Sequence, residues 1–294
     1  MLKLIVLAAV WKIAAAAGGA TEAETPLQIN GEALPYSQWH VMAMPGDTIS
    51  YDGASRLQPF LDDSSVDSDG SLTAPDQPGI YDLEFRTRSG DVVADLALFV
   101  LEPSSRIDAD GRLNGYRIGQ YPENEPKGFI RLDEGYGDVN VSPSFRIGQF
   151  LCKQQPDHWP KYLLISSDNL DRLEHLLAAL NEDGITDADT FFVMSGYRTP
   201  FYNTAIGSAK LSRHMYGDAT DVYVDVSPKD GIMDDVNRDG ALNKEDANFF
   251  FDYADELFSK GDVSAGGLGS YGSNAVHGPF VHVDGRGRKA RWGR

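Results

Sequence analysis

Two histidines and one aspartate, in two separate stretches of the chain, are the residues best suited to chemistry. His214 and Asp221 lie seven residues apart, and His282 follows near the end of the sequence. Two imidazoles and a carboxylate form the ligand set of a catalytic zinc ion that keeps its fourth position open for water. The pattern therefore predicts a zinc site at these three residues, although a histidine and an aspartate at this separation also occur together by chance.

The chain between the first two candidate ligands must change direction. A straight helix would separate His214 and Asp221 by about 10 Å, which is too far for both to bind one ion. Gly217 lies between them and can adopt the backbone conformation of a turn. Residues 221–224 then predict a strand, because they combine β-branched and aromatic side chains.

A longer motif surrounds these ligands. Its order is Ser-x-His-x-x-Gly-x-Ala-x-Asp, matched by Ser212, His214, Gly217, Ala219 and Asp221. Together with SGYRTP at 195–200, FVHVD at 280–284 and a closing tryptophan, Trp292, this order resembles the zinc D-Ala-D-Ala metallopeptidases, a group that shares its fold with hedgehog proteins. The likeness covers about residues 140–294 and is strongest to the periplasmic murein endopeptidases.

The resemblance implies both a fold and an activity. The fold is α+β, with a small antiparallel sheet and flanking helices. The activity is zinc-dependent hydrolysis of peptide bonds in peptidoglycan cross-links or stem peptides. Arg198 of the Gly-Tyr-Arg segment would face the active site, where it could bind a peptide carboxylate or stabilise an oxyanion. The alternative for Arg198 is a structural salt bridge, and the alternative for the domain is a non-catalytic module that binds cell-wall peptide or another protein.

The resemblance does not assign the general base. Many members of the group carry a glutamate three residues before the last histidine ligand, where this chain has Pro279. Others carry a histidine two residues before it, where this chain has Phe280. Asp284 and His277 are the remaining candidates. On a strand, Asp284 lies on the same face as His282, so it could equally hold the imidazole in place.

A second group of oxygen donors lies between the zinc motifs. Residues 235–246 fit a twelve-residue calcium loop with glycine at its sixth position, although the loop ends in aspartate rather than glutamate, as in dockerin modules. The alternative is a solvated acidic loop. The predicted ligands are Asp235, Asn237, Asp239, Ala241 through its carbonyl, Asn243 through water, and Asp246.

Local patterns predict the elements that position the site. Leucines recur at helical spacing over residues 170–180, so we expect a helix there, capped by Asp168. Residues 190–194 predict a buried strand that delivers the segment beginning at Ser195 to the site. A helix is also expected over residues 248–258, directly after the calcium loop.

The chain divides into four predicted regions. Residues 1–20 predict a signal peptide, because an apolar run interrupted by Lys12 is too short to span a bilayer and alanines follow it; a short N-terminal anchor is the alternative. Short alternating runs over 26–103 predict an antiparallel, immunoglobulin-like β-sandwich, either a binding module or a spacer. Residues 104–140 form a polar junction, and 141–294 the zinc peptidase domain.

Composition limits the classes of molecule that we expect the protein to bind. The formal net charge of −18 disfavours nucleic acid, which requires cationic contacts to phosphate. Cys152 is the single cysteine, so no disulfide can form within the chain. We expect a periplasmic or secreted monomer that has no membrane span after processing and acts on peptidoglycan peptide.

Overall fold

Strands and loops form the first part of the molecule. The computed structural model describes residues 27–261 and 263–294, so the predicted signal peptide lies outside the described residues. The strands of this part are β1 Gln28–Ile29, β2 Glu32–Ala33, β3 Gln38–Ala43, β4 Thr48–Ser50, β5 Leu57–Leu61, β6 Ser64–Ser65, β7 Ser71–Thr73, β8 Gly79–Thr87, β9 Val92–Val100 and β10 Glu102–Pro103.

The main N-terminal sheet has the order β3-β9-β8-β5-β6, and β4 pairs separately with β7. Alternate side chains of β8 and β9, such as Leu83, Phe85, Leu96 and Leu98, are buried because one face of the sheet covers the core. β3 and β9 run parallel, so the prediction of a purely antiparallel arrangement was wrong. Parallel pairing is possible because a long connection, strands β4 to β8, separates the two strands in the chain. The immunoglobulin-like sandwich is not confirmed.

The junction takes part in the fold through its own strands. They are β11 Arg112–Leu113, β12 Tyr116–Arg117, β13 Gly128–Leu132 and, after the junction, β14 Lys161–Leu163. β13 pairs with β10 on one side and with β14 on the other, both antiparallel. This three-stranded sheet therefore joins the N-terminal strands to the region that carries the candidate zinc ligands.

The last part of the chain mixes helices with a second sheet. Its elements are α1 Ser167–Glu182, β15 Phe192–Ser195, α2 Pro200–Ala205, β16 Ala219–Tyr223, α3 Lys244–Ser259, β17 Gly267–Tyr271, β18 Phe280–Asp284 and β19 Ala290–Trp292. The sheet has the order β15-β16-β18-β17-β19 and is antiparallel except for the β17–β19 pair. α1 packs against β18, and α3 packs against β17 and β18. The α+β prediction is confirmed.

Two local predictions near α1 and β15 need correction. The cap of α1 is Ser166, whose extended backbone lets its hydroxyl accept from the amide of Asn169, whereas Asp168 lies in the first turn. The strand predicted over 190–194 was expected to be buried. In the structure β15 begins at Phe192, which is 40% exposed and stacks on Tyr223. No helix in the described part of the chain has the length and hydrophobicity that a membrane span needs.

Candidate metal centre and its cleft

A tight turn followed by a strand positions the first two candidate ligands. His214 lies in a 3-10 turn, Arg213–Tyr216, that ends at Gly217 with a φ of 68°. A side chain at Gly217 would collide with the backbone of Leu164, so glycine is required for both conformation and space. Asp221 lies in the middle of β16, so the predicted turn and strand are both confirmed.

The third candidate ligand is brought in by strand pairing. His282 lies on β18, directly opposite Asp221 of β16. Residues directly opposite each other in an antiparallel pair project on the same face. The other neighbour of His282 is Gly269 on β17. A side chain at Gly269 would collide with the indole of Trp292, so this glycine makes room for the tryptophan beside His282.

The three donor atoms converge on one point. Nδ1 of His282 lies 2.8 Å from Oδ1 of Asp221, and Nε2 of His214 lies 3.3 Å from each of these atoms. In a tetrahedral zinc site with bonds of 2.0–2.1 Å, neighbouring donor atoms are about 3.3 Å apart. All three side chains are buried. The donor set therefore fits zinc in identity, in spacing and in leaving one coordination position to the cleft.

Hydrogen bonds on the far side of each ring orient both imidazoles. Nδ1 of His214 donates to the carbonyl oxygen of Gly196 at 2.7 Å. Nε2 of His282 donates to Oδ2 of Asp284 at 3.1 Å. In the neutral ring, each bond places the proton on the nitrogen away from Asp221, which leaves the nitrogen that faces Asp221 free to bind a metal.

The charges at the centre also suit a cation. Burial lowers the pKa of His214, which favours the neutral ligand form. Burial acts to raise the pKa of Asp221, but the facing imidazoles outweigh it and hold that pKa well below its ordinary value. For His282, burial acts to lower the pKa, yet Asp221 and Asp284 raise it overall. Asp221 therefore stays ionised beside the two imidazoles, and a metal ion bound here would displace any proton that His282 holds.

Arg198 forms the salt bridge that was the structural alternative for it. Its Nη2 donates to Oδ2 of Asp221 at 2.5 Å, and its Nε donates to the hydroxyl of Ser195 at 2.8 Å. This contact uses the oxygen of Asp221 that does not face the imidazoles, so it steers Oδ1 toward them. Arg198 also lines the cleft, so the site-facing position expected from the sequence is observed.

Neither candidate base lies among the residues that line the cleft. Asp284 is fully buried, and its carboxylate accepts from His282, from the amide of Gly267 and from Arg286. Burial acts to raise the pKa of Asp284, but His282 and Arg286 together lower it far below its ordinary value. This position matches the alternative in which Asp284 holds His282. The ring of His277 packs edge-on against Phe280, with 4.9 Å between centroids, and contacts Asn274 rather than the ligands.

The cleft has a volume of about 500 Å³ and one aromatic wall. Tyr271 stacks on Phe280 with 4.6 Å between centroids, and the indole nitrogen of Trp292 donates to the hydroxyl of Tyr271 at 2.8 Å. Trp292 lies 5.3 Å from the His282 ring. The sequence motif included Trp292 but did not predict where it lies in the fold. The parallel pairing of β19 with β17 brings Trp292 beside His282, and that pairing has no local signal in the sequence.

The predicted calcium ligands occupy a loop closed by its own backbone. Asp235 accepts from the amide of Gly240 at 2.8 Å, and Asp239 accepts from that of Ala241 at 2.9 Å. Asp246 lies in the first turn of α3 and accepts from the amide of Asn243, the helix cap, at 2.9 Å. The carboxylates of Asp235, Asp239 and Asp246 do not all lie within 4.8 Å of one another, in contrast to the donors of the zinc candidate.

Comparison with known proteins found a match between part of the chain and one protein family. Residues 161–239 match the model of the family described as Peptidase M15, roughly a quarter of the chain. The match includes the segment from Arg198 through Asp221 and therefore two of the three candidate ligands, but it ends before His282. It supports a peptidase of this class. A search of curated proteins found no match to the chain.

Proposed function

We propose that the protein is a zinc-dependent peptidase that hydrolyses peptide bonds in peptidoglycan, either in cross-links or in stem peptides. One observation carries the proposal: three buried donor atoms of His214, Asp221 and His282 converge at 2.8–3.3 Å on the wall of an open cleft. The match to the Peptidase M15 family over 161–239 supports the reaction class. The murein endopeptidase branch rests on the sequence motifs, and action in the periplasm or outside the cell rests on the predicted signal peptide.

Residues of the chain would each have a separate role around the ion. Zinc, when bound, activates water and polarises the scissile carbonyl. Asp284 and the carbonyl of Gly196 hold the two imidazoles in their ligand tautomers. Arg198 holds Asp221 and keeps a guanidinium at the cleft, where charge develops on the substrate oxygen. The aromatic wall of Tyr271, Phe280 and Trp292 excludes water from one side of the peptide.

Purified peptidoglycan is the substrate for the decisive test. The full chain is incubated with it before and after treatment with a chelator, and new amino groups and released peptides are identified by mass spectrometry. We expect release that stops with the chelator and returns with added zinc. Elemental analysis should find about one zinc per chain, and His214→Ala should remove it. Full zinc content in that variant would refute the assignment of the centre.

One observation favours the alternative of a non-catalytic binding module. Apart from the candidate ligands, no carboxylate or imidazole is among the described residues lining the cleft. A protein without a positioned base could hold zinc structurally and bind cell-wall peptide without cutting it. In the same experiment this alternative predicts that the protein co-sediments with peptidoglycan but releases no peptide, with zinc present at one per chain.

A further inference from the structure

The strand order of the C-terminal sheet places Tyr271 and Arg198 on opposite sides of the candidate metal centre. The order is β15-β16-β18-β17-β19. Asp221 on β16 and His282 on β18 occupy its middle. Arg198 follows β15 on one side of them, and Tyr271 ends β17 on the other. Both side chains line the cleft, so a substrate group at the centre lies between them.

Strand pairing brings the Tyr271 side chain to the face of the sheet that carries the ligands. Gly269 of β17 lies directly opposite His282, and Tyr271 lies directly opposite Phe280. Because side chains two residues apart on a strand share a face, Tyr271 is the diagonal neighbour of His282. Such neighbours are about 7–8 Å apart, a distance that an aromatic side chain can span. The pairing that fixes His282 therefore also places Tyr271 beside the ligands.

The hydroxyl of Tyr271 has a hydrogen that the protein itself does not use. The indole nitrogen of Trp292 lies 2.8 Å from the phenolic oxygen. An indole N–H can only donate, so the tyrosine accepts in this contact and its own O–H points elsewhere. In the part of the chain that the structure describes, no group accepts that hydrogen. Since Tyr271 is 37% exposed at the cleft, the hydroxyl is available to a bound substrate.

Hydrolysis of a peptide bond requires donors of this kind. As water adds to the scissile carbonyl, negative charge develops on its oxygen, and donors already oriented toward that oxygen stabilise the transition state. The other cleft-lining hydroxyls, Ser208 and Ser212, lie in the segment between Arg198 and His214. Tyr271 thus brings a hydroxyl donor from a different strand, on the side that this segment does not provide.

We propose that Tyr271, held in place by Trp292, is a second substrate-contacting donor, and that its hydroxyl donates to the scissile carbonyl oxygen from the side opposite Arg198. This inference rests on the proposed peptidase function. It gives two roles to one side chain: the ring belongs to the aromatic wall of the cleft, and the hydroxyl stabilises the charge that develops on the substrate. The hydrogen bond from Trp292 fixes the direction of that hydroxyl.

Removal of the hydroxyl alone tests this role. Tyr271→Phe keeps the ring in the aromatic wall, and kcat and KM are measured on peptidoglycan peptide with the zinc-loaded full chain. We expect kcat to fall about 10²-fold with KM nearly unchanged, because the contact forms as charge develops. Zinc content and Tm should match wild type, since Tyr271 is not a candidate ligand. Tyr136→Phe is the matched control, because Tyr136 is also exposed but does not line the cleft, and it should keep the wild-type kcat.

A double-variant cycle tests the part played by Trp292. Trp292→Phe removes the indole donor that orients the hydroxyl, and we expect a loss of kcat of about tenfold. In the Tyr271→Phe background the same change should cause almost no further loss, since the hydroxyl that it orients is already absent. Losses that simply multiply in the double variant, at equal zinc content, would show that Trp292 does not act through Tyr271.

Binding separates this inference from the proposed function. A phosphinate peptide carries a tetrahedral phosphorus with anionic oxygens in place of the scissile amide, and it cannot be cut. In calorimetric titrations, wild type and Tyr136→Phe should bind it about tenfold more tightly than Tyr271→Phe does, or better. If no peptide is cut but this difference holds, the peptidase proposal fails and Tyr271 remains a donor in the cleft. If Tyr271→Phe binds the phosphinate as tightly as wild type does, or cuts peptide with the wild-type kcat, the role of its hydroxyl is overturned.

Discussion

At the scale of single residues, the candidate centre depends on groups that do not face the ion. Asp284 and Arg198 each form a hydrogen bond to one candidate ligand on the side that does not face the ion. Asp284 accepts from Nε2 of His282, and Arg198 donates to Oδ2 of Asp221. Both contacts are charge-assisted and buried or half-buried, where such bonds are strong. The ligand geometry is therefore determined by a chain of contacts and not by the three ligands alone.

Asp284→Asn tests whether this carboxylate supports the centre or acts as the base. As a support, its loss should weaken zinc binding about 10- to 100-fold, because the amide no longer fixes the tautomer of His282. Turnover should then recover when zinc is saturating. Zinc affinity is measured with a competing chelator, and kcat at saturating zinc. A kcat that stays low at full zinc occupancy, in a variant with wild-type circular dichroism, would contradict the support role.

Arg198→Ala removes both the clamp on Asp221 and a cation at the cleft. We expect weaker zinc binding and, at saturating zinc, a loss of kcat of about 10²-fold or more, because a donor to the developing oxyanion is lost. Arg198→Lys is the matched variant, since it keeps the charge but not the planar fork. Near-wild-type kcat in Arg198→Ala at full zinc occupancy would leave Arg198 with the salt bridge as its only role.

At the scale of elements, the sequence predicts the turns and strands that depend on neighbouring residues, and it misses the pairings between strands that are separated in the chain. The turn at Gly217 and the following strand were predictable because both depend on neighbours in the chain. The cap of α1 was misplaced by two residues because Ser166 and Asp168 are both competent caps and backbone geometry chooses between them. The parallel β17–β19 pair, which brings Trp292 beside His282, has no local signal.

The loop before α3 gives a prediction at this scale. Asp246 links the loop to the helix because its carboxylate accepts from the amide of the cap residue Asn243. Burial raises the pKa of Asp246, and the negative charges of Asp235 and Asp239 raise it further. A bound calcium ion would offset this repulsion. At a hundredfold excess over Kd it would stabilise the folded state by about 2.7 kcal/mol, which corresponds to several degrees in Tm.

Thermal unfolding at constant zinc, with calcium varied, measures this effect. Wild type should melt at a higher temperature with calcium, and Asp239→Ala should lose that gain because it removes one ligand. Magnesium at the same concentration is the control for ionic strength. A Tm that does not respond to calcium in either protein would leave residues 235–246 as a solvated acidic loop.

At the scale of the whole molecule, the N-terminal sheet is attached to the region that carries the candidate centre. Besides the strand pairing of β10, β13 and β14, one buried side chain links the two parts. Nδ1 of His40, on β3, donates to the carbonyl of Val141 at 2.9 Å, and its Nε2 accepts from the hydroxyl of Ser167 at 3.1 Å. Ser167 begins α1, which packs against the strand of His282.

This link should make the stability of the whole chain depend on pH. Burial lowers the pKa of His40 from 6.5 to about 4, although its bond to Val141 acts in the opposite direction. Between these values the unfolded chain binds a proton that the folded chain does not, so stability is full above pH 6.5 and is lost as pH falls toward 4. The shift corresponds to about 3 kcal/mol.

Urea unfolding at pH 7.5 and 4.5 measures the loss, and His40→Asn, which keeps a donor near Val141 but does not titrate, is the control. We expect wild type to lose about 2 to 3 kcal/mol more than the variant over this range, since the remaining titrating groups are common to both proteins; an equal loss in the two proteins would show that His40 does not couple protonation to the attachment of the N-terminal sheet.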